Sequence, residues 1–206
     1  MFHKICRAIA TFFIKVFYRP KIKGLENLPK EGGFMLVSNH LSMIDCVVIV
    51  TLFKQKIYFM AKKEIFDKKL KEKFFRWCGG IPVDRENLDL KSIKECFKKL
   101  KDGEVLVVFP EGTRNKKQEV DLLPIKGGAS LLAFKAGTKV VPIAMKNKFK
   151  IFRKNYLYIG EPYDYSEYKG QKLDAELTDK LTEDMSNRIL DCLHKTREMA
   201  EETEKK

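Results

Sequence analysis

The stretch "EVLVVFPEGTR", Glu104 to Arg114, decides the fold. Its apolar run, Val105 to Phe109, is continuous, as a central strand covered on both faces must be. The chain then breaks at once into a proline, a carboxylate, a glycine, a hydroxyl and a guanidinium. A strand ending this way delivers polar groups to the C-terminal edge of a sheet, where α/β folds bind ligands. Working outward, other β-prone runs are "FMLVS" (34–38), "KIYFMA" (56–61), "IPV" (81–83), "VVPIAM" (140–145) and "NYLYIG" (155–160). Helical stretches fall between them, at Met43 to Phe53, Ile65 to Cys78, Leu88 to Lys101 and Ala129 to Ala136. This alternation predicts an α/β fold, a single layered domain with a largely parallel or mixed central sheet flanked by helices.

Both ends of the chain differ from this middle. From Leu173, apolar residues recur at 177, 181, 185, 189 and 193, which predicts one long amphipathic helix over about 173–200. The opening "MFHKICRAIATFFIKVFYRP" has an apolar run from Ile5 to Tyr18, broken by Arg7, Thr11 and Lys15. It is too short to span a bilayer, which takes about 20 residues. With Lys4, the interrupting residues keep helical spacing and form one narrow stripe on an otherwise apolar helix. Residues 1–19 therefore read as an amphipathic membrane-anchoring helix, its basic groups reaching for headgroups, and residues 20–206 as the main domain. No small-residue cleavage site follows the helix, which speaks against a secretory leader.

The charge is strongly biased. Lys and Arg number 41 against 28 Asp and Glu, a formal net of +13. Residues 1–160 carry 33 bases and 15 acids, whereas 161–206 carry 8 and 13. A body this basic attracts phosphate-bearing partners: nucleic acid, an anionic membrane face or a phosphorylated small molecule. Helix-turn-helix, zinc-finger and aromatic nucleic-acid motifs are missing from the sequence, which leaves a basic nucleic-acid or membrane-surface binding protein without catalysis as the remote alternative. The five cysteines form no CxxC pair, pointing to a reducing, cytosolic compartment. His3, His40 and His194 lie far apart with no ligand spacing, so no metal and no cofactor are expected.

Four short stretches carry the chemistry. In "NHLSMID" (39–45), His40 ends the "FMLVS" strand and Asp45 falls in the first turn of the next helix, with Ser42 as its cap. A carboxylate there can hold one imidazole nitrogen and leave the other free as a base. Taken alone, the pair is weak evidence for catalysis and reads more readily as a helix-capping histidine with a carboxylate that complements the helix dipole. "FPEGTR" (109–114) offers Thr113 and Arg114 as phosphate donors, with Gly112 allowing close backbone approach. "GGIPVDR" (79–85) presents Arg85 beside Asp84, and "VPI" (141–143) puts Pro142 in a strand, which marks an edge or a bend.

In this order the four stretches resemble the motifs of the glycerophospholipid acyltransferase family, with the bacterial 1-acyl-sn-glycerol-3-phosphate acyltransferases as the most similar branch. The resemblance spans about Gly24 to Gly160 and takes in "MAKKEIF" and "LPIKGGASLLAFKAG". It implies that His40 is the general base and Asp45 its orienting carboxylate. It further implies that Lys62, Arg85, Glu111, Gly112, Thr113 and Arg114 bind the acceptor's phosphate, that Pro142 belongs to the wall of the acyl or acceptor pocket, and that a hydrophobic tunnel holds the acyl chain. Family members often carry a longer or two-helix N-terminal module, whereas here there is room for one helix.

The implied reaction moves a fatty acyl group from acyl-CoA or acyl carrier protein, as thioester co-substrate, to the sn-2 hydroxyl of lysophosphatidic acid, giving phosphatidic acid. Its implied place is the cytoplasmic face of the membrane, peripheral or monotopic, on an anionic surface and away from nucleic acid. Backbone N–H groups around "NHLSM" are the expected oxyanion donors, and Cys46 is read as core. A sibling enzyme acylating glycerol 3-phosphate or a lyso-aminolipid is the near alternative.

Overall fold

A computed structural model describes residues 2–84 and 90–205. Arg85, expected among the phosphate contacts, lies outside the described residues, as does the start of the helix expected from Leu88. Seven strands form one sheet: β1 (Pro20–Lys23), β2 (Phe34–Ser38), β3 (Ile57–Lys62), β4 (Gly80–Val83), β5 (Val105–Val108), β6 (Lys139–Met145) and β7 (Asn155–Ile159). Their spatial order is β1-β7-β6-β2-β5-β3-β4. Every pairing is parallel except β6 with β7. The helices are α1 (Phe2–Phe13), α2 (Ile44–Leu52), α3 (Lys69–Trp77), α4 (Leu90–Lys101), α5 (Gly127–Ala136) and α6 (Ala175–Glu204).

The apolar run at 105–108 is central, as its composition demands: β5 lies between β2 and β3 and is wholly buried. Alternate residues feed opposite faces. Leu36, Val105 and Val107 pack with Val48 and Ile49 of α2. Met35, Val37, Leu106 and Val108 pack with α4, α5 and Leu181, Met185 and Ile189 of α6. Asp174 caps α6, its side chain accepting the Leu177 N–H at 3.0 Å.

Three readings of the sequence change. The helix expected over Ile65–Cys78 is split, with a 3₁₀ turn at Lys63–Phe66 and α3 beginning at Lys69. Pro142 sits in an interior strand, not an edge. Its carbonyl accepts the Gly160 N–H at 2.8 Å, so its ring nitrogen faces the same side, just where β7 leaves the sheet and no ladder donor is needed. The third change concerns α1, where Arg7 and Thr11 turn toward the protein, Thr11 Oγ donating to the Arg7 carbonyl at 2.7 Å. The apolar face, Ile5, Ile9, Phe12, Phe13 and Val16, points outward and is 44–62% exposed. Among the described residues no helix is long and apolar enough to cross a membrane.

Candidate active site

The topology places the site before any side chain is considered. Neighbouring β2 and β5 continue into helices on opposite faces, α2 and α5, and such a switch leaves a crevice at the strands' C-terminal ends. Val37 pairs with Val108, so three residues further along each chain His40 and Glu111 meet at one level. The His40 backbone N–H donates to Glu111 Oε1 at 2.5 Å, and the Asn115 N–H donates to the His40 carbonyl at 2.7 Å. These bonds tie the loop after β2 to the loop after β5.

Asp45 is fully buried and gathers every donor around it. Its Oδ2 accepts the N–H groups of Leu41 and Ser42, each at 2.7 Å, and lies 3.0 Å from His40 Nδ1. Its Oδ1 accepts the Ser42 hydroxyl at 2.8 Å. Held this way, the carboxylate accepts a hydrogen bond from Nδ1–H, which selects that tautomer and leaves Nε2 with its lone pair. The imidazole stacks on Phe109, centroids 4.0 Å apart and planes at 21°, which fixes the ring's orientation.

Two expectations for this loop are corrected. Ser42 does not cap α2, because its hydroxyl is committed to Asp45 and the residue before the helix is Met43. Of the backbone N–H groups expected as oxyanion donors, those of His40, Leu41 and Ser42 already donate to carboxylates. Cys46 stands beside the dyad, but burial, with the Asp45 charge second, pushes its thiol up to about 12. A thiol so held is a poor nucleophile at neutral pH.

His40 opens onto an apolar cavity of about 360 Å³. Its walls come from α1 (Cys6, Ala10), α2 (Val47, Val50) and α3 (Phe74, Trp77), and Arg7 and Lys62 are the cations along it. Lys62 is half-exposed and pairs with Glu64 at 2.8 Å. Thr113 and Arg114 are exposed on the loop after β5, directly before Asn115, whose N–H meets the His40 carbonyl. A second cavity, about 670 Å³, lies on the other face between α4 and α5; Gly112, with φ of 66°, is part of its wall.

Two expected site residues take other positions. Glu111 is buried, and its oxygens accept backbone N–H groups from His40 and, at 3.0 Å, Leu123. Burial raises its carboxyl above the ordinary value, although those two N–H groups pull the other way. It holds two loops together and does not face solvent as a phosphate ligand would. Pro142 lines neither cavity; it is buried against Gly160, and its carbonyl accepts from the Cys192 thiol.

Sequence reasoning missed Asn39. Its side chain is buried and bonds the Met145 backbone in both directions, Nδ2 to O and N to Oδ1, each at 2.9 Å. It locks the end of β2 to β6 immediately before His40. The signal available was a lone amide at a strand end, where the ladder leaves a backbone donor and acceptor to be satisfied.

Comparison with known proteins agrees with this geometry. The family described as Acyltransferase matches residues 19–146. A 1-acyl-sn-glycerol-3-phosphate acyltransferase of Bacillus subtilis (strain 168) is 31% identical over 199 residues, covering 94% of this chain and 98% of that protein. The protein of that name from Streptococcus pneumoniae (strain ATCC BAA-255 / R6) is 32% identical over 172 residues, 80% of this chain and 61% of its own. The crystal structure of the 1-acyl-sn-glycerophosphate (LPA) acyltransferase PlsC from Thermotoga maritima superposes with a TM-score of 0.67 at 27% identity, covering 92% of this chain and 80% of that one. With the fold, the ordered motifs and the matched span in agreement, the chain belongs to the Acyltransferase family.

Proposed function

We propose that the protein is a 1-acyl-sn-glycerol-3-phosphate acyltransferase, moving a fatty acyl group from a thioester to the free hydroxyl of lysophosphatidic acid. The observation that carries this is the His40–Asp45 pair at the mouth of an apolar cavity. A lysophospholipid hydroxyl is a weak nucleophile until its proton is removed. His40 Nε2 takes that proton as the oxygen attacks the thioester carbonyl. As the tetrahedral intermediate collapses, the C–S bond breaks and the imidazolium returns the proton to the departing thiolate. Asp45 stabilises the imidazolium between the two steps. The cavity walled by α1, α2 and α3 accepts the acyl chain, which is why its polar groups are so few.

The direct test offers palmitoyl-CoA and lysophosphatidic acid to the full chain on vesicles and follows phosphatidic acid by mass spectrometry. Formation of phosphatidic acid is the expected result. Exclusive acylation of glycerol 3-phosphate or a lyso-aminolipid would overturn the choice of acceptor.

Lys62, Arg114 and Thr113 supply the donors for the acceptor's phosphate, joined by Arg85 from the same motif set. Glu111 is a positioning residue in this scheme, and Gly112 gives the loop its turn. A hydrogen bond between charged partners contributes about 1.5–3 kcal/mol, so Arg114→Ala should raise KM for lysophosphatidic acid roughly 10- to 100-fold. Lys62→Ala should act in the same direction, with donor KM unchanged in both. Steady-state kinetics with each substrate varied in turn would check this.

The membrane reading rests on the outward apolar face of α1 and its neighbours. Phe17 contacts Phe152, centroids 5.7 Å apart, and Ile151 and Phe152 are exposed beside Lys150, Arg153 and Lys154. On α3, Leu70 and Phe74 are exposed among Lys68, Lys69, Lys71 and Lys73. Contiguous apolar surface bordered by cations is what a monotopic protein lays on anionic headgroups. Ile9→Glu with Phe13→Glu should weaken sedimentation with anionic vesicles about tenfold or more. Binding that persisted unchanged would remove α1 from the interface.

A further inference from the structure

We infer that the larger cavity, between α4 and α5, receives the phosphorylated pantetheine arm of the acyl donor, so that donor carrier and acceptor reach His40 from opposite faces of the sheet. The inference rests on the acyltransferase reading above. Three observations carry it. The first is continuity. Pairing of β3 with β5 stops at Phe59 and Val107, one residue before β5 ends. Met60 and Phe109, just beyond that last pair, both line the two cavities. Phe109 is also the ring on which His40 stacks. A thioester whose acyl chain lies in the apolar cavity has its carbonyl at His40, and its sulfur leads across Met60 and Phe109 into the second cavity.

The second is charge. Lys94, Lys126 and Lys135 line the larger cavity, with Asp84 as the one acid on its wall among the described residues. Asp84 already has Lys63 at 4.0 Å. Lys126 precedes α5 and Lys135 is in its last turn, so they are separated by about 13 Å at 1.5 Å per residue. Cations spaced that far apart suit an extended ligand, an arm with its own phosphate at one end and, in coenzyme A, the nucleotide's phosphates beyond it, better than one compact anion. The third is the wall itself, where Ile93, Phe97, Leu131 and Leu132 give an apolar bed for the pantetheine chain. The acceptor's phosphate has its own cations on the His40 side, so the lysines of this cavity have no part in binding it.

The phosphopantetheine group is common to coenzyme A and acyl carrier protein, and two donors tell the sources apart. Lys94→Glu/Lys135→Glu is expected to raise KM for palmitoyl-CoA about tenfold or more, with KM for lysophosphatidic acid within about twofold of the wild type. Leu131→Trp, which fills the cavity without touching charge, should act the same way if the charge reversal harms folding. A loss seen with palmitoyl-CoA alone assigns the lysines to the nucleotide's phosphates at the end of the arm, and a loss shared by palmitoyl-acyl carrier protein assigns them to the single phosphate of the common arm. Either supports the inference. Unchanged donor KM in both variants, or a rise in acceptor KM instead, overturns it. Equilibrium binding of free coenzyme A to the full chain is read beside the kinetics. Binding that Leu131→Trp abolishes supports this site even if no phosphatidic acid forms, which would count against the acyltransferase reading alone. Binding indifferent to both variants overturns the site.

Discussion

His40→Ala is expected to lower acyl transfer by about 10²- to 10⁴-fold, the usual contribution of a positioned general acid–base group. Phosphatidic acid measured by mass spectrometry gives the rate without a thiol dye that the five cysteines would also titrate. KM for both substrates should hold nearly steady, because the imidazole acts on the proton and not on the phosphate or the acyl chain. Asp45→Asn is the sharper companion. The amide oxygen can stay at the Oδ2 position and keep the N–H groups of Leu41 and Ser42 and the Nδ1–H of His40, while its NH₂ donates to the Ser42 hydroxyl. Fold and tautomer survive, yet the imidazolium loses its countercharge, and the rate should fall roughly 10- to 100-fold. Asp45→Ala should also unfold the loop, since it strips partners from two buried backbone donors. A wild-type rate in His40→Ala would reduce "NHLSMID" to the start of a helix.

The sequence made the frame legible because strand and helix obey short-range rules. Val105–Val108 had to be central, and its alternating burial toward two helical layers follows from a period of two. His40 and Asp45 were readable for a similar reason, as five residues across a strand end and a first helical turn confine them to one another's reach. Glu111 was not readable in this way. A carboxylate in a loop beside Thr113 and Arg114 looks like part of a polar cluster. Only the register Val37 to Val108 reveals that it sits level with His40 and points into the protein. Arg7 misled for the opposite reason. Helical spacing gives the stripe but not its direction, and tertiary packing turned Arg7 toward the cavity while Lys15 stays exposed. Ser42 looked like a cap, but its hydroxyl had a buried carboxylate nearer than any helical N–H.

Glu111→Leu should then be among the most damaging substitutions in the chain, although Glu111 meets no substrate. It would strip the acceptors from the part-buried N–H groups of His40 and Leu123, at up to about 1–3 kcal/mol each. For a domain of this size that lowers Tm by roughly 5–20 °C. The same change loosens the loop after β2 from the loop after β5, leaving the Asn115 N–H to the His40 carbonyl and the stacking of the imidazole on Phe109 between them. The imidazole would still pair with Asp45, but its distance from a hydroxyl bound by Lys62 and Arg114 would no longer be fixed. Misplacement of about 1 Å costs about 10²-fold in rate, so kcat should collapse while KM for lysophosphatidic acid moves little. That split separates a positioning carboxylate from a phosphate contact, whose loss would appear first in acceptor KM. Glu111→Gln sharpens the point. One amide oxygen can serve one backbone donor, but the NH₂ confronts the other, so stability and kcat should lie between wild type and Glu111→Leu. If Glu111→Gln raised acceptor KM and left Tm and kcat intact, the carboxylate would belong with Arg114 at the phosphate after all.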